Sequence, residues 1–483
     1  MKSLRFGLVL VCILLLSCSP HLRTAPTNLP ARLDDIFAHW NRPDSPGCAL
    51  GVYKDGHILY KRGYGMANLN DDIPITPSTV FHVASMSKQF TAASILLLVQ
   101  QGKLSLDDDV HKYIPELPDF GEHITIRHLL HHTSGLRDQW ALLNLAGWRI
   151  FQDLITDDDI MSLVTRQREL NFKPGEQYMY SNTGFTLLAI IVKRVSGMSL
   201  REFTTKNIFE PLGMTHTHFR DDHEEIIKHD ALGYEQDEKD NRFRMNLTNF
   251  DTTGATSLHT TVEDLQLWDE NFYHPRVGGP ALIRQMLERG KLNSGELQDY
   301  ASGLIIGTYN GLPTVDHAGR DAGYRSDMMR FPDQHFSAAV LCNFADIDPS
   351  YLVRQVAEIV LVNDFKAPSP VPANDVAGTF AAPPATTQES ITPVDPTARD
   401  LAEYSGAFVS EEIDPVYRIS VQDGKLILRR PKYQPDTLYP KTRDVFAGEI
   451  GNVHFTRDAN QHIAGFTLDA GPIQNFHFHK KTN

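Results

Sequence analysis

The stretch Ser85-Met86-Ser87-Lys88 leads directly into an apolar run that stops at Gly102. This pattern predicts a helix over residues 85–101, since glycine commonly ends helices. On a helix, residues three apart share a face, so the Ser85 hydroxyl and the Lys88 amine can meet. A serine hydroxyl is a weak nucleophile until a base accepts its proton, and a buried lysine with a lowered pKa can be that base. The other interpretation is a helix-capping serine beside a solvated lysine.

A second motif, Tyr180-Ser181-Asn182, lies just before an apolar run that predicts a helix over residues 183–195, with Gly197 past its end. A tyrosine on a tight turn can share a proton with Lys88 and act as a general base. The Asn182 side chain can bind a substrate amide carbonyl. The alternative is a buried turn tyrosine with a structural role alone.

A third motif, Asp316-His317-Ala318-Gly319, ends the first of three predicted strands, which cover residues 313–317, 325–331 and 336–343. The small residues after His317 allow a substrate backbone to lie alongside the strand. Arg320 follows directly and offers a cation beside the site. The plainer interpretations are a hydrogen-bonded histidine at a strand end and a surface arginine.

The order of predicted elements favours an α+β fold over residues 34–365. A hairpin at residues 47–65 comes first, helices follow and strands come last, so that both ends of the segment close one sheet. Residues 366–397 hold seven prolines and predict a semi-rigid linker. Residues 398–483 alternate apolar and polar residues in short runs, which predicts a small all-β barrel or sandwich.

Residues 1–17 predict a signal peptide, because a short basic region precedes an apolar run at positions 8–16 that is too short to span a membrane. Leu15-Leu16-Ser17-Cys18 resembles the bacterial lipobox, in which the cysteine is acylated. We therefore expect an exported protein of the periplasm or cell envelope, tethered by residues 18–33, and Ser19 is compatible with the outer membrane. An ordinary cleaved signal peptide is the alternative.

The composition of the chain excludes several classes of protein. Its 483 residues are 41% apolar and 22% charged, which excludes a disordered chain, a collagen and a many-spanning membrane protein. A net charge of −14 with no basic stripe argues against nucleic acid as a partner. Four cysteines exclude a disulfide-built scaffold. We expect Cys48 and Cys342 to be buried free thiols, with a bridge between them as the alternative.

The three motifs, in this order, resemble the S-x-x-K, Y-x-N and K/H-x-G signatures of the serine β-lactamase and penicillin-binding protein superfamily, and most closely its class C-like branch. The segments Leu129-Leu130-His131-His132-Thr133-Ser134-Gly135-Leu136 and Pro211-Leu212-Gly213-Met214 resemble it too. The resemblance covers residues 34–363 and implies an antiparallel sheet flanked by helices, with an all-helical lobe. Tyr404-Ser405-Gly406-Ala407-Phe408 resembles the start of the lipocalin-like β-barrel that follows the catalytic domain in some relatives.

This resemblance implies a serine hydrolase that works through an acyl-enzyme on amide or ester bonds. Ser85 would be the acylated nucleophile, Lys88 and Tyr180 would share the general-base work, and Asn182 would orient the substrate. The expected substrates are short peptides that contain D-residues or derive from cell walls. A carboxylesterase of the same fold is one alternative, and a catalytically silent, membrane-tethered binding lipoprotein is another.

The resemblance also implies an oxyanion hole built from the backbone N–H groups of Ser85 and Arg320, next to Gly319. His317 stands where β-lactamases of this group usually carry a lysine that helps to hold the carboxylate of the β-lactam. We therefore expect weak or no β-lactamase activity, and Arg320 can supply a cation instead.

Neither a cofactor nor a metal is expected. The histidines in His131-His132 and in Thr215-His216-Thr217-His218 do not supply a set of four ligands. The expected partner is a small peptide, amide or ester substrate, with no nucleic acid.

Two regions lie outside the three motifs, and the first of them is the candidate for substrate specificity. Residues 137–172 predict a helical insertion between two motifs, in which Trp140, Trp148 and Phe151 form either an apolar wall or ordinary core packing. In relatives the C-terminal barrel can wall the active site or aid assembly, and the alternative here is an independent accessory domain.

Overall fold

The computed structural model describes residues 28–237, 239–366 and 401–481. The predicted signal peptide, the lipidation site Cys18 and residues 367–397 of the predicted linker lie outside the described residues. The predicted tether overlaps the first helix of the chain, which begins at Leu29. Asn28 caps this helix by accepting a hydrogen bond from the Ala31 backbone N–H at 2.9 Å.

The described residues contain α-helices and shorter turns of 3-10 and π helix. The α-helices are α1 (Leu29–Ile36), α2 (Lys88–Gln100), α3 (Ile126–Leu130), α4 (Gln139–Leu145), α5 (Asp157–Val164), α6 (Asn182–Ser196), α7 (Leu200–Thr204), α8 (Glu210–Leu212), α9 (Val262–Glu270), α10 (Gly279–Met286) and α11 (Pro349–Val360). The 3-10 turns are Ala84–Ser87, Val110–Lys112, Pro332–Gln334 and Ala402–Tyr404, and a π turn covers Thr205–Phe209.

The strands of the N-terminal part are β1 (Cys48–Lys54), β2 (His57–Tyr64), β3 (Met66–Asn68), β4 (Ile73–Pro74), β5 (Phe81–His82), β6 (Ile155–Thr156), β7 (His218–Phe219), β8 (Tyr234–Gln236), β9 (Phe243–Met245), β10 (Phe250–Asp251), β11 (Leu258–Thr260), β12 (Ile305–Tyr309), β13 (Leu312–Asp321), β14 (Tyr324–Phe331) and β15 (Phe336–Cys342). The strands of the C-terminal part are β16 (Gly406–Val409), β17 (Tyr417–Gln422), β18 (Lys425–Arg429), β19 (Asp436–Thr442), β20 (Val445–Gly448), β21 (Gly451–Arg457), β22 (Ile463–Ala470) and β23 (Ile473–Lys480).

A six-stranded antiparallel sheet forms the centre of the N-terminal part, in the order β12-β13-β14-β15-β1-β2. Strands from both ends of the segment meet in it, which confirms the α+β arrangement predicted from the sequence. The predicted hairpin turns at Asp55 and Gly56, both of which have positive φ. Strands β14 and β15 are buried along their whole length. Helix α11, with α1 packed against it, covers one face of the sheet, and α9 packs on the other.

A disulfide joins Cys48 on β1 to Cys342 on β15, 294 residues apart. The two residues face each other in the register of the strands, and both are fully buried on the face covered by α11. The expectation of two free thiols is therefore wrong, because apolar strand-like runs do not reveal which residues become cross-strand neighbours. A native disulfide typically stabilises a fold by about 2–4 kcal/mol.

The helical lobe is built around α2 and α6. Helix α2 is buried from Lys88 to Leu98, which explains why its sequence is apolar on every side. Gly197 ends α6 in the left-handed conformation, as its position after the apolar run predicts. In the described part of the chain, no single helix is long and apolar enough to cross a membrane, although α6 and the helical segment 200–212 pass that test together across a 74° bend.

The C-terminal strands β16 to β23 form a closed antiparallel barrel, in which β16 pairs with both β17 and β23. Aromatic side chains, including Phe408, Tyr417, Phe455, Phe466 and Phe478, pack against one another in its core. This confirms the barrel predicted from the alternating pattern and excludes the sandwich.

The barrel packs against the predicted specificity region, residues 137–172. The Tyr417 hydroxyl donates to the Leu145 backbone oxygen at 2.8 Å, and the Arg430 guanidinium donates to the Asn144 side-chain oxygen, also at 2.8 Å. At the far end of the same region, the Asn171 amide donates to a barrel carbonyl at 2.8 Å. The barrel therefore packs against this insertion.

The aromatic residues of this region have different surroundings. Trp140 is buried and stacks on Phe250 with ring centroids 4.9 Å apart, which is core packing. The Lys432 amine of the barrel lies 5.4 Å from the Trp148 ring, so Trp148 belongs to the contact between the two parts. Phe151 is 39% exposed.

Candidate active site

Ser85 lies in the 3-10 turn Ala84–Ser87, which connects strand β5 to helix α2. The sequence pattern predicts that the helix begins at Ser85. In the structure it begins at Lys88, because residues 84–87 wind more tightly. Ala84 has φ +49°, a conformation that costs free energy for a residue with a Cβ atom and is common next to functional groups. Ser85 is partly exposed while its neighbours in the turn are buried, so its hydroxyl is accessible to a substrate.

The Lys88 amine is fully buried and has three partners. It lies 3.0 Å from the Ser85 hydroxyl oxygen, 2.8 Å from the Asn182 side-chain oxygen and 2.7 Å from the Ala255 backbone oxygen. Burial lowers the pKa of Lys88 to about 7, and the nearby Asp321 and Asp138 carboxylates oppose this shift. A substantial fraction of the amine is therefore uncharged near neutral pH and can accept the Ser85 proton.

Tyr180 lies on the other side of the amine, with its ring centroid 4.8 Å from the Lys88 nitrogen. Burial raises the pKa of Tyr180 well above the usual range, an effect that the Ser85 hydroxyl partly counteracts. Its buried hydroxyl makes no hydrogen bond of ordinary length and angle to the described residues. Tyr180 is therefore protonated in the resting site, where it can pass a proton on but is a poor base by itself.

Asn182 begins helix α6 and connects Lys88 to Asp138, a residue that the sequence analysis does not identify as part of the site. The Asp138 carboxylate accepts hydrogen bonds from the Asn182 backbone N–H at 2.7 Å and from its side-chain amide at 2.8 Å. These bonds orient the Asn182 side chain so that its oxygen faces the Lys88 amine. The other Asp138 oxygen caps helix α4 through the Trp140 backbone N–H at 2.9 Å.

His317 lies inside strand β13 and not at its end, because the strand continues to Asp321. Its Nδ1 is 2.7 Å from the Ala318 backbone oxygen, which can only accept, so Nδ1 carries the proton. The Nε2 atom can then accept a hydrogen bond from the Tyr300 hydroxyl at 3.0 Å. Burial lowers the pKa of His317 to about 3, and the Lys88 charge adds to this effect, so the ring is neutral.

Gly319 allows strand β13 to pass directly beside the turn that carries Ser85. A Cβ atom at this position would lie 2.2 Å from the Val83 backbone oxygen and 3.1 Å from the Ala84 side chain. Any larger residue would therefore push the strand away from the serine. The Arg320 side chain is exposed at this edge of the strand, without an ion pair to the described residues.

Aromatic rings form a wall behind Tyr180. The His132 ring lies 4.2 Å from Tyr180, 4.5 Å from Tyr300 and 5.1 Å from Phe185, measured between ring centroids. Its Nδ1 accepts a hydrogen bond from the Ser181 backbone N–H at 3.1 Å, which fixes the Tyr180 loop. The segment around His132 is part of the resemblance described above, whereas nothing in the sequence around Tyr300 marks it as a site residue.

A separate cluster of possible metal ligands is formed by Asp222, His223 and Asp251, whose ligand atoms lie within 4.8 Å of one another. Asp222 is exposed, and the His223 ring is already hydrogen-bonded to Asp251 at 3.0 Å. In the described part of the chain, no hydrogen bond or ion pair joins these residues to Ser85, Lys88 or Tyr180.

The structure thus brings the predicted residues of all three motifs into one group. A partly exposed hydroxyl faces a buried amine of near-neutral pKa, a protonated tyrosine adjoins the amine, and an asparagine is fixed beside it. A nucleophile and a base within hydrogen-bond reach, with a third residue orienting the base, is the arrangement that covalent catalysis by serine requires.

Comparisons with known proteins identify the family of the chain. The Beta-lactamase family model matches residues 33–361. The chain is 32% identical over 330 residues to penicillin-binding protein 4* of Bacillus subtilis (strain 168), covering 66% of this chain and 72% of that protein. It is 31% identical over 327 residues to the D-aminopeptidase of Gluconobacter oxydans (strain 621H), covering 68% of this chain and 59% of that protein.

Among solved structures, the octameric penicillin-binding protein homologue from Pyrococcus abyssi has a TM-score of 0.61 and 25% identity, covering 93% of this chain and 98% of its own. This likeness extends beyond the matched family domain into the C-terminal barrel. The resemblance and the fold class predicted from the sequence are therefore confirmed. With the family model matching well over half of the chain and the three motifs assembled around one serine, the chain belongs to the Beta-lactamase family.

Proposed function

We propose that this protein is a serine hydrolase that cleaves short peptides or amides containing D-residues through an acyl-enzyme on Ser85. The observation that carries the proposal is the buried Lys88 amine, 3.0 Å from the Ser85 hydroxyl and with a pKa of about 7. An amine of near-neutral pKa combines a useful free fraction with enough basicity to accept the serine proton. The similarity to a D-aminopeptidase supports the class of substrate.

The reaction follows from the contacts of these residues. The Ser85 proton moves to the Lys88 nitrogen while the serine oxygen bonds to the substrate carbonyl carbon, and the carbonyl oxygen takes up the negative charge. Collapse of this tetrahedral intermediate breaks the bond to the leaving amine, which receives the proton from Lys88. Tyr180, whose ring centroid lies 4.8 Å from the Lys88 nitrogen, is the proposed relay for this proton once a substrate is bound. Water then attacks the acyl-enzyme in the same way, releases the acid and restores Ser85.

We also propose that β-lactams are poor substrates. The His317 ring is neutral, with a pKa of about 3, and its Nε2 is already engaged by Tyr300. It therefore offers no positive charge to the carboxylate of a β-lactam. Arg320 is the nearest exposed cation on the same strand, and its flexible side chain is less well placed to hold a carboxylate rigidly.

A substrate panel tests this function. We expect purified wild type to hydrolyse D-alanyl p-nitroanilide at least about tenfold faster than the L-isomer, and nitrocefin barely above the Ser85→Ala background. Turnover of p-nitrophenyl acetate alone would instead identify a carboxylesterase, and brisk nitrocefin turnover would refute the role given to His317. If a fluorophosphonate does not label wild type at Ser85, the protein is a silent binding protein.

Export and lipid anchoring are a separate proposal. The Leu15-Leu16-Ser17-Cys18 motif supports them, and so does the Cys48–Cys342 bridge, because disulfides persist mainly in oxidising compartments. We expect the wild-type chain to incorporate labelled palmitate and to sediment with membranes, whereas Cys18→Ser does neither. Unlabelled wild type, or a Cys18→Ser chain that stays membrane-bound, would contradict the anchor.

A further inference from the structure

A buried ion pair connects the C-terminal barrel to the residue next to Asp138. The Arg137 guanidinium donates to the Glu412 carboxylate at 2.6 Å, and the two side chains are 0% and 4% exposed. Glu412 lies in the barrel part of the chain, between β16 and β17. Its carboxylate also accepts a hydrogen bond from the Arg168 backbone N–H at 3.0 Å, so it holds both ends of the 137–168 segment.

Further contacts from the barrel orient the same guanidinium. It donates to the Gln474 and Asn475 backbone oxygens, both at 3.2 Å, and it lies 5.1 Å from the centroid of the Phe476 ring. Among the described residues of the catalytic part, it bonds only the Gln167 side-chain oxygen, at 3.1 Å. The position of Arg137 is therefore set mainly by the barrel.

The backbone of residues 137–138 transmits that position to the active site. The Arg137 backbone oxygen accepts a hydrogen bond from the Thr183 hydroxyl at 2.7 Å. The next residue, Asp138, holds Asn182 through two hydrogen bonds, and Asn182 in turn binds the Lys88 amine. A continuous series of contacts thus runs from Glu412 in the barrel to the base.

We propose that Glu412 and Arg137 are positioning residues for the base, so that docking of the barrel sets the orientation of Asn182 and Lys88. This inference rests on the proposed function, since it concerns the rate at which Ser85 is acylated. The barrel would then be part of the catalytic unit without itself contacting the reacting atoms. Removing the Glu412 charge leaves the Arg137 guanidinium buried without its counter-ion. We then expect the 137–138 backbone to shift so that water can reach the guanidinium.

The test uses the full chain and measures how fast a fluorophosphonate labels Ser85, together with kcat and KM. We expect Glu412→Gln to slow labelling about tenfold and to lower kcat, with KM changed less than about threefold. The matched control is Glu411→Gln, which makes the same substitution one residue away, where Glu411 pairs with Arg168 at 3.1 Å and the two side chains are 72% and 68% exposed. This control should remain within about twofold of wild type.

A double-mutant cycle distinguishes positioning from general destabilisation. Asp138→Asn keeps an oxygen to cap α4 but presents an amide to the donors of Asn182, so it should slow labelling at least as much as Glu412→Gln. If both act through the same contacts, the double variant is no slower than the slower single variant. If the losses in labelling rate of the two single variants multiply in the double variant, the two residues act independently, and the proposal is overturned.

Two further measurements keep the test decisive. If Glu412→Gln does not fold, the paired variant Arg137→Met/Glu412→Met removes both charges at similar volume and is expected to fold. It should label slowly, and labelling at the wild-type rate would overturn the proposal. Wild type that does not label at all would mean that the proposed function has failed, whereas normal labelling of both wild type and Glu412→Gln would reject only the positioning role.

Discussion

Replacing Ser85 by alanine is expected to abolish covalent labelling and to lower kcat by on the order of 10⁴-fold or more, because the variant lacks the hydroxyl that would carry the acyl group. The folded structure should tolerate this change, since the Ser85 oxygen accepts from Lys88 and supports no backbone group. The measurement is labelling by a fluorescent fluorophosphonate, followed by hydrolysis of D-alanyl p-nitroanilide.

Ser94→Ala is the matched control for this experiment. Ser94 lies two turns further along α2, where its buried hydroxyl donates to the Phe90 backbone oxygen at 2.8 Å. We expect it to label like wild type. Equal labelling of wild type and Ser85→Ala would show that the acyl-enzyme forms elsewhere and would end the assignment.

Replacing Lys88 by methionine is expected to slow acylation by about 10²–10⁴-fold, because Ser85 then has no base within reach.

The wild-type rate of acylation should also depend on pH in a defined direction. The pKa of Lys88 is about 7, and only the uncharged amine accepts a proton, so the rate should fall about tenfold per pH unit below that value and level off above it.

The pH profile of Lys88→Met is the informative comparison. The residual rate should lose the dependence centred near pH 7, whereas Lys103→Met, which removes an exposed lysine after the end of α2, should keep the wild-type profile. If Lys88→Met retained the same acid limb, another group would be the base. Because methionine leaves the Asn182 and Ala255 oxygens without their donor, thermal unfolding must be measured alongside.

The motif residues could be predicted because their chemistry and spacing are local. Ser85 and Lys88 are three residues apart and remain neighbours although a 3-10 turn replaces the first turn of the predicted helix. The local pattern does not predict that Tyr180 and His317 lie beside Ser85 and Lys88. That expectation rests on the resemblance to the family. A glycine in the third motif was informative as well, since the close approach of β13 to the serine turn excludes a side chain at Gly319.

Other parts of the site could not be predicted, because they depend on the path of the chain between distant residues. The position of Asp138 before an apolar run predicts a helix-capping residue, and the structure confirms that role. Its second oxygen accepts a hydrogen bond from Asn182, a contact that exists only in the folded chain. Tyr300 lies in a loop without periodicity. The Arg137–Glu412 pair spans 275 residues, and neither position carries a local signal.

The bridge between Cys48 and Cys342 determines what happens to this protein when a protease cuts it. It makes the catalytic part of the chain a covalent ring, and all three motifs lie within that ring. A single cut in an exposed loop, such as the one around Ile226, which is 92% exposed, opens the ring but leaves Ser85 and His317 on one connected molecule. Only a second cut, or reduction of two fully buried sulfurs, can release a fragment.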